Sequence, residues 1–167
     1  MATSGRKSVP STGIKQAGLA WKKFAVLVSE WNEDITEALF EGALKTLLGH
    51  GVNRENIIRS NVPGSFELSL GAQLFAREEN IDAVICLGCV VRGETMHNRY
   101  ICESVAQGLK DVALKFNKPV IFGVLTTETM QQALDRAGGK HGNKGEDAAL
   151  AAIKMLTLIN NISNSKF

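Results

Sequence analysis

The chain has 167 residues, enough for one domain with a sizeable core and too few for two ordinary ones. Its formal net charge is only +2, from 19 Lys and Arg against 17 Asp and Glu. The cations are scattered, so no stripe suits a nucleic-acid backbone, and no interleaved aromatics offer a stacking path for a single strand. No apolar run reaches a transmembrane length, so no membrane partner is expected either.

Residues 1–20 are rich in Ser, Gly, Lys and Thr and include Pro10, and they read as a flexible N-terminal arm. They carry charge and no continuous apolar run, unlike a secretion signal. Residues 21–160 read as one domain and 161–167 as a C-terminal tail. "KFAVLVSE" (23–30) is a short apolar strand. "DITEALFEGALKTLLGHG" (34–51) places Ile35, Leu39, Gly42, Ala43 and Leu47 at helical spacing and stops near Gly49 and Gly51. "ENIIRSNV" (55–62) is a weaker strand. "PGSFELSLGAQLFAREEN" (63–80) turns at Pro63-Gly64 and becomes helical after Ser65.

"IDAVICLGCVV" (81–91) is almost wholly apolar, as a central parallel strand is. "RYICESVAQGLKDVALKFN" (99–117) is a helix with Ile101, Val105, Leu109, Val112 and Phe116 on one face. "KPVIFGVLTT" (118–127) is the fourth strand. "ETMQQALDRAG" (128–138) is a short helix ended by Gly138 and Gly139, and "GEDAALAAIKMLTLIN" (145–160) is the last helix. Strand and helix alternate four times, which predicts an α/β fold: a four-stranded parallel sheet between two helical layers. Ligands of such sheets sit beyond the carboxyl ends of the strands. Chemistry is therefore expected in four tips: "SEWNED", "NVPGSFE", "VRGETMH" and "GVLTTE".

Cys86 and Cys89 are spaced like metal ligands but lie in a strand, where a separation of three puts them on opposite faces. They read as buried thiols. Three cysteines, an odd count, and no secretion signal point to a reducing, cytoplasmic setting. The last helix has few polar positions, which suggests that part of it meets another subunit.

In "CVVRGETMHNRYI" (89–101) a glycine and small polar residues separate a strand from a helix. Backbone N–H groups of Gly93, Glu94 and Thr95 are free there to wrap an anion. His97 falls in the first helical turn. A neutral histidine beside a phosphate can take a proton and return it near pH 7. The alternative is a capping or surface histidine. Trp31 is either a stacking platform for a flat heterocycle or a partly packed core residue. Asn32 follows it. Glu67 either accepts hydrogen bonds from a polyol or only favours a helix start.

"GCVVRGETMH", "PGSFELSL", "PVIFGVLTTETMQQALDRAG" and "GNKGEDAALAAIKM" together resemble the 6,7-dimethyl-8-ribityllumazine synthase family of riboflavin biosynthesis, in the family's order and over about residues 20–160. The resemblance implies a flavodoxin-like three-layer αβα sandwich. It implies condensation of 5-amino-6-(D-ribitylamino)uracil with 3,4-dihydroxy-2-butanone 4-phosphate, without metal or redox cofactor. His97 would carry protons, and the backbone of Glu94 and Thr95 would hold the phosphate. Trp31 would lie over the pyrimidine, with Asn32 near the ring or ribityl chain. Ser65, Phe66 and Glu67 would hold the ribityl chain, and the backbone of Val90 and Val91 would read the pyrimidine edge. Arg136 would grip the phosphate, a task that suits a guanidinium fork. Lys144 would lie near the pyrimidine substrate and Asp147 near the histidine region. These three and Phe122 would reach the pocket of a neighbouring subunit.

Family members form homopentamers, and some build decamers or hollow icosahedral shells. The compact "GGKHGNKG" (138–145) connection leans toward a shell, while the arm with Pro10 bears on the same contacts. Met96, Asn98, Arg99, Gly139 and His141 depart from the common pattern, which bears on affinity more than on reaction type. Without catalysis, the same pocket would suit a flavin-binding or shell-forming protein.

Overall fold

A computed structural model describes residues 18–165. The arm expected over 1–20 therefore lies outside the described residues, except for its last three. Of those, Leu19 is buried in the core. The elements run β1 (Phe24–Ser29), α1 (Glu33–Gly49), a 3-10 turn (Arg54–Asn56), β2 (Ile57–Val62), α2 (Leu68–Ala76), β3 (Ala83–Val91), α3 (His97–Phe116), β4 (Val120–Thr127), α4 (Met130–Leu134), β5 (Ala137–Gly139), β6 (Gly142–Asn143) and α5 (Lys144–Asn164).

The four long strands form one parallel sheet in the order β2-β1-β3-β4. That matches the first four places of the flavodoxin-like order. β1 and β3 are central, so both of their faces are covered, and β1 is buried at every position. Their alternation feeds two cores. Phe24, Val26, Val28, Ile85 and Leu87 pack with Ile35, Leu39, Leu47, Ile153 and Leu156 of α1 and α5. Ala25, Leu27, Val84 and Cys86 pack with Leu68, Ala72, Val105, Leu109 and Val112 of α2 and α3. Truncating a fully buried side chain such as Ile85 to Ala is expected to cost ~2–5 kcal/mol.

Cys86 and Cys89 fall in these separate cores, as their odd spacing requires. Burial pushes the Cys89 thiol up to about 11 and the Cys86 thiol higher still. Both are unreactive thiols at neutral pH.

The last helix divides its apolar residues between two faces. Ala148, Ala149, Ala152, Ile153 and Leu156 are spent inside the chain, whereas Met155, Leu158 and Ile162 form an exposed stripe. One expectation needs correction. The helix read over 128–138 is only Met130–Leu134, and residues 137–143 instead form the β5–β6 hairpin. Gly138 and Gly142 both have positive φ, which suits the tight geometry of this hairpin. Among the described residues, no helix is long and apolar enough to cross a membrane.

Candidate active site

α1 leaves β1 toward one face of the sheet, and α3 leaves β3 toward the other. Adjacent strands whose connections diverge open a crevice at their carboxyl ends. The tips carrying Trp31 and His97 flank this one.

Trp31 follows β1 and is 73% exposed. Asn32 adopts a left-handed conformation, with φ 61°. Its side-chain Nδ2 donates to the Cys89 carbonyl at 2.9 Å, tying the β1 tip to β3 and leaving Oδ1 as its remaining acceptor. Glu30 N–H donates to the Val62 carbonyl at 2.9 Å and ties the same tip to β2.

The β2 tip supplies Ser65, Phe66 and Glu67. A Cβ built on Gly64 would lie 3.1 Å from Glu67 Oε2 and 3.3 Å from Trp31 Cδ1. The indole and the carboxylate thus converge over a residue without a side chain. Among the described residues nothing bonds the Glu67 carboxylate, which leaves both oxygens as acceptors. Phe66 is exposed and Ser65 is buried. Ser65 rests on β3, because a Cβ on Gly88 would stand 2.6 Å from Ser65 Oγ and 3.3 Å from Ser29 Oγ. The Ser29 hydroxyl is buried with no hydrogen-bond partner among the described residues. Gly64 and Gly88 were missed by sequence reasoning; their only signal was a glycine in a turn and another inside an apolar strand.

β3 ends at Val90 and Val91, both half-buried. Arg92 N–H donates to the Thr127 carbonyl at 2.8 Å, and its guanidinium is paired with Glu128 at 2.8 Å. Residues 93–96 form an exposed turn, and His97 opens α3 as expected. The His97 N–H points toward Thr95 Oγ1 at 3.4 Å. The backbone N–H groups of Gly93, Glu94 and Thr95 have no protein partner among the described residues. An imidazole and three available donors thus share one turn, an arrangement suited to moving protons beside an anion.

The remaining predicted residues lie elsewhere. Phe122 is five residues back from the end of β4, about 16 Å from the tip. It is 41% exposed on the edge of the sheet. Arg136 lies between α4 and β5, its Nη1 donating to the Gln132 carbonyl at 3.0 Å. Lys144 begins α5 and pairs with Asp147 at 2.6 Å. α5 starts against Ala38, Leu39 and Gly42, about two turns down α1. Among the described residues, no hydrogen bond or ion pair joins Phe122, Arg136, Lys144 or Asp147 to the crevice residues.

Asp135 stabilises the hairpin next to Arg136. Lys140 at 3.0 Å and the Gln131 amide at 3.0 Å hold its carboxyl below the usual carboxylate range. His141 N–H donates to the Asp135 carbonyl at 2.8 Å.

The family model described as 6,7-dimethyl-8-ribityllumazine synthase matches residues 22–160. Proteins named 6,7-dimethyl-8-ribityllumazine synthase are similar to most of the chain. One from Cytophaga hutchinsonii is 58% identical, covering 92% of this chain and 97% of the relative. One from Parabacteroides distasonis is 56% identical, covering 78% and 82%. One from Porphyromonas gingivalis is 54% identical, covering 81% and 84%.

Proposed function

Since the chain belongs to the 6,7-dimethyl-8-ribityllumazine synthase family, we propose that His97 is its proton carrier and that two neighbouring copies complete each site. The reaction is the condensation of 5-amino-6-(D-ribitylamino)uracil with 3,4-dihydroxy-2-butanone 4-phosphate, releasing phosphate and water. Schiff-base formation, phosphate elimination and ring closure each move a proton. His97 takes and returns these protons while the N–H groups at Glu94 and Thr95 hold the phosphate. The observation that carries this assignment is the shared turn: one exposed imidazole beside three unpaired backbone donors at the crevice between β1 and β3.

Trp31 stacks on the pyrimidine, and the backbone of Val90 and Val91 reads its edge. The Glu67 carboxylate and the backbone of Ser65 and Phe66 take the ribityl hydroxyls. Asn32 orients the loop and offers Oδ1 to the substrate. Phe122, Arg136, Lys144 and Asp147 come from the adjacent subunit, with Arg136 on the phosphate. Their distance from the crevice of their own chain supports this division. The exposed Met155, Leu158 and Ile162 stripe supports an oligomer. A pentamer is the unit, and the compact 138–145 connection permits its assembly into a shell.

Purified protein mixed with both substrates should form a lumazine with its own absorbance and fluorescence. Product no faster than in the protein-free mixture rejects the catalytic assignment. A monomer in solution that turns over at full rate rejects the shared site.

A further inference from the structure

Asn143 is the residue just before Lys144, and its side chain makes two bonds of different kinds. Oδ1 accepts from the Gly145 N–H at 2.8 Å and caps α5. Nδ2 donates to the Ala38 carbonyl, in the middle of α1, at 2.7 Å. Capping needs only the acceptor, which Ser or Asp would also supply. The second bond is a tie between helices.

α1 is shaped to receive this amide. A Cβ on Gly42 would stand 2.5 Å from Asn143 Oδ1, so the helix is notched where the amide enters. A Cβ on Gly145 would collide with the Leu39 carbonyl, so the first turn of α5 lies directly on the α1 backbone. The same segment joins the two cations. Lys144 N–H donates to the Arg136 carbonyl at 2.8 Å, and Ala137 pairs with Asn143 in the hairpin.

We propose that Asn143 is a positioning residue for Arg136 and Lys144. Its amide bolts the hairpin and the start of α5 to α1, which fixes where Arg136 stands when it meets the phosphate-bearing substrate and where Lys144 stands beside the pyrimidine. This rests on the assignment of Arg136 to the phosphate made above. Asn143 itself touches no substrate.

Two readouts test it, one of them independent of turnover. Asn143→Ser keeps an acceptor for the cap and loses the tie to Ala38. Its KM for the butanone phosphate should rise about tenfold, with kcat within about twofold, because misplacing a binding group weakens substrate capture before it alters proton transfer. Gly42→Ala should shift KM in the same direction by crowding the amide, and the Gly42→Ala/Asn143→Ser double variant should be no worse than Asn143→Ser alone. Inorganic phosphate should raise the melting temperature of the wild type, and Asn143→Ser should lose most of that gain, as Arg136→Ala does. A folded Asn143→Ser with wild-type KM and the full phosphate-dependent gain overturns the proposal. So does a loss of kcat alone that follows the fall in melting temperature. A wild type without turnover rejects the assigned reaction, and the phosphate-dependent melting shift still decides the role of Asn143.

Discussion

The crevice between β1 and β3 and the edge beyond β4 carry the two groups of residues proposed for one reaction, yet they are built differently. In the crevice, loops from three neighbouring strands are cross-tied by Asn32 to Cys89, Glu30 to Val62 and Ser65 against Gly88. Its side chains converge within one chain. The edge group is spread over both sides of an edge strand, a hairpin and a helix start, and among the described residues no hydrogen bond or ion pair joins its members to their own crevice. Phe122 is held in the β3–β4 ladder, and the hairpin and helix start are held by packing against α1 through Asn143, Gly42 and Gly145. In the proposed arrangement the sheet supplies one half of a site at its carboxyl end, and its exposed edge supplies the other half to a neighbouring copy.

The contrast is sharpest in kinetics. His97→Ala removes the only imidazole in the crevice and should lower kcat by about 10²–10³-fold, with binding of both substrates largely kept. Some rate should remain, because the bound substrates can still react slowly in place. Stopped-flow absorbance of lumazine formation measures this. Arg136→Ala should act in the opposite way, raising KM for the phosphate substrate by about 10²-fold with a smaller change in kcat. If both variants lost kcat alone, the two regions would not be separable into chemistry and capture.

A third substitution probes the crevice from below. Gly88→Ala places a methyl 2.6 Å from Ser65 Oγ. Overpacking of this kind costs ~1–3 kcal/mol, and here it should push the 65–67 loop outward. KM for the ribitylaminouracil should rise about tenfold, while KM for the butanone phosphate stays within about twofold. Adding Ser65→Ala removes the clashing oxygen and should restore most of the affinity. Equal loss for both substrates, or no rescue, would mean that Gly88 serves the core and not the loop.

Legibility in the sequence followed the number of faces each segment buries. β3 was readable because both of its faces are apolar, and the odd spacing of Cys86 and Cys89 correctly assigned them to separate cores. His97 at the start of α3 was readable because the glycine-polar turn stands between two strong periodic patterns. Residues 137–143 were not readable. The hairpin there is seven residues long and buries little, so no period could mark it, and Gly138 looked like a helix stop when it is a hairpin residue with φ 116°. The roles of Gly64, Gly88 and Asn143 were hidden for a related reason. Each works through a contact made by residues distant in sequence, 105 positions away for Asn143 and Ala38, and a linear pattern carries no trace of it.

The last expected effect bears most directly on the comparison. If the crevice and the edge group of different copies build each site, His97→Ala chains and Arg136→Ala chains lack complementary halves. Mixed by co-expression into one oligomer, a His97→Ala edge can meet an Arg136→Ala crevice, and that junction has every residue intact. Random mixing of equal amounts places such junctions at about a quarter of the sites, so activity assayed at butanone phosphate well below the raised KM should recover to roughly one quarter of wild type from two weakly active parents. The same two variants purified separately and combined without subunit exchange should stay near the sum of their residual rates. Recovery requires the two halves to come from different chains, because a site completed within one chain carries either the His97 lesion or the Arg136 lesion in every copy. Co-expressed oligomers, checked by mass for both chains and no more active than their parents, would place both groups in the same chain's site despite their separation.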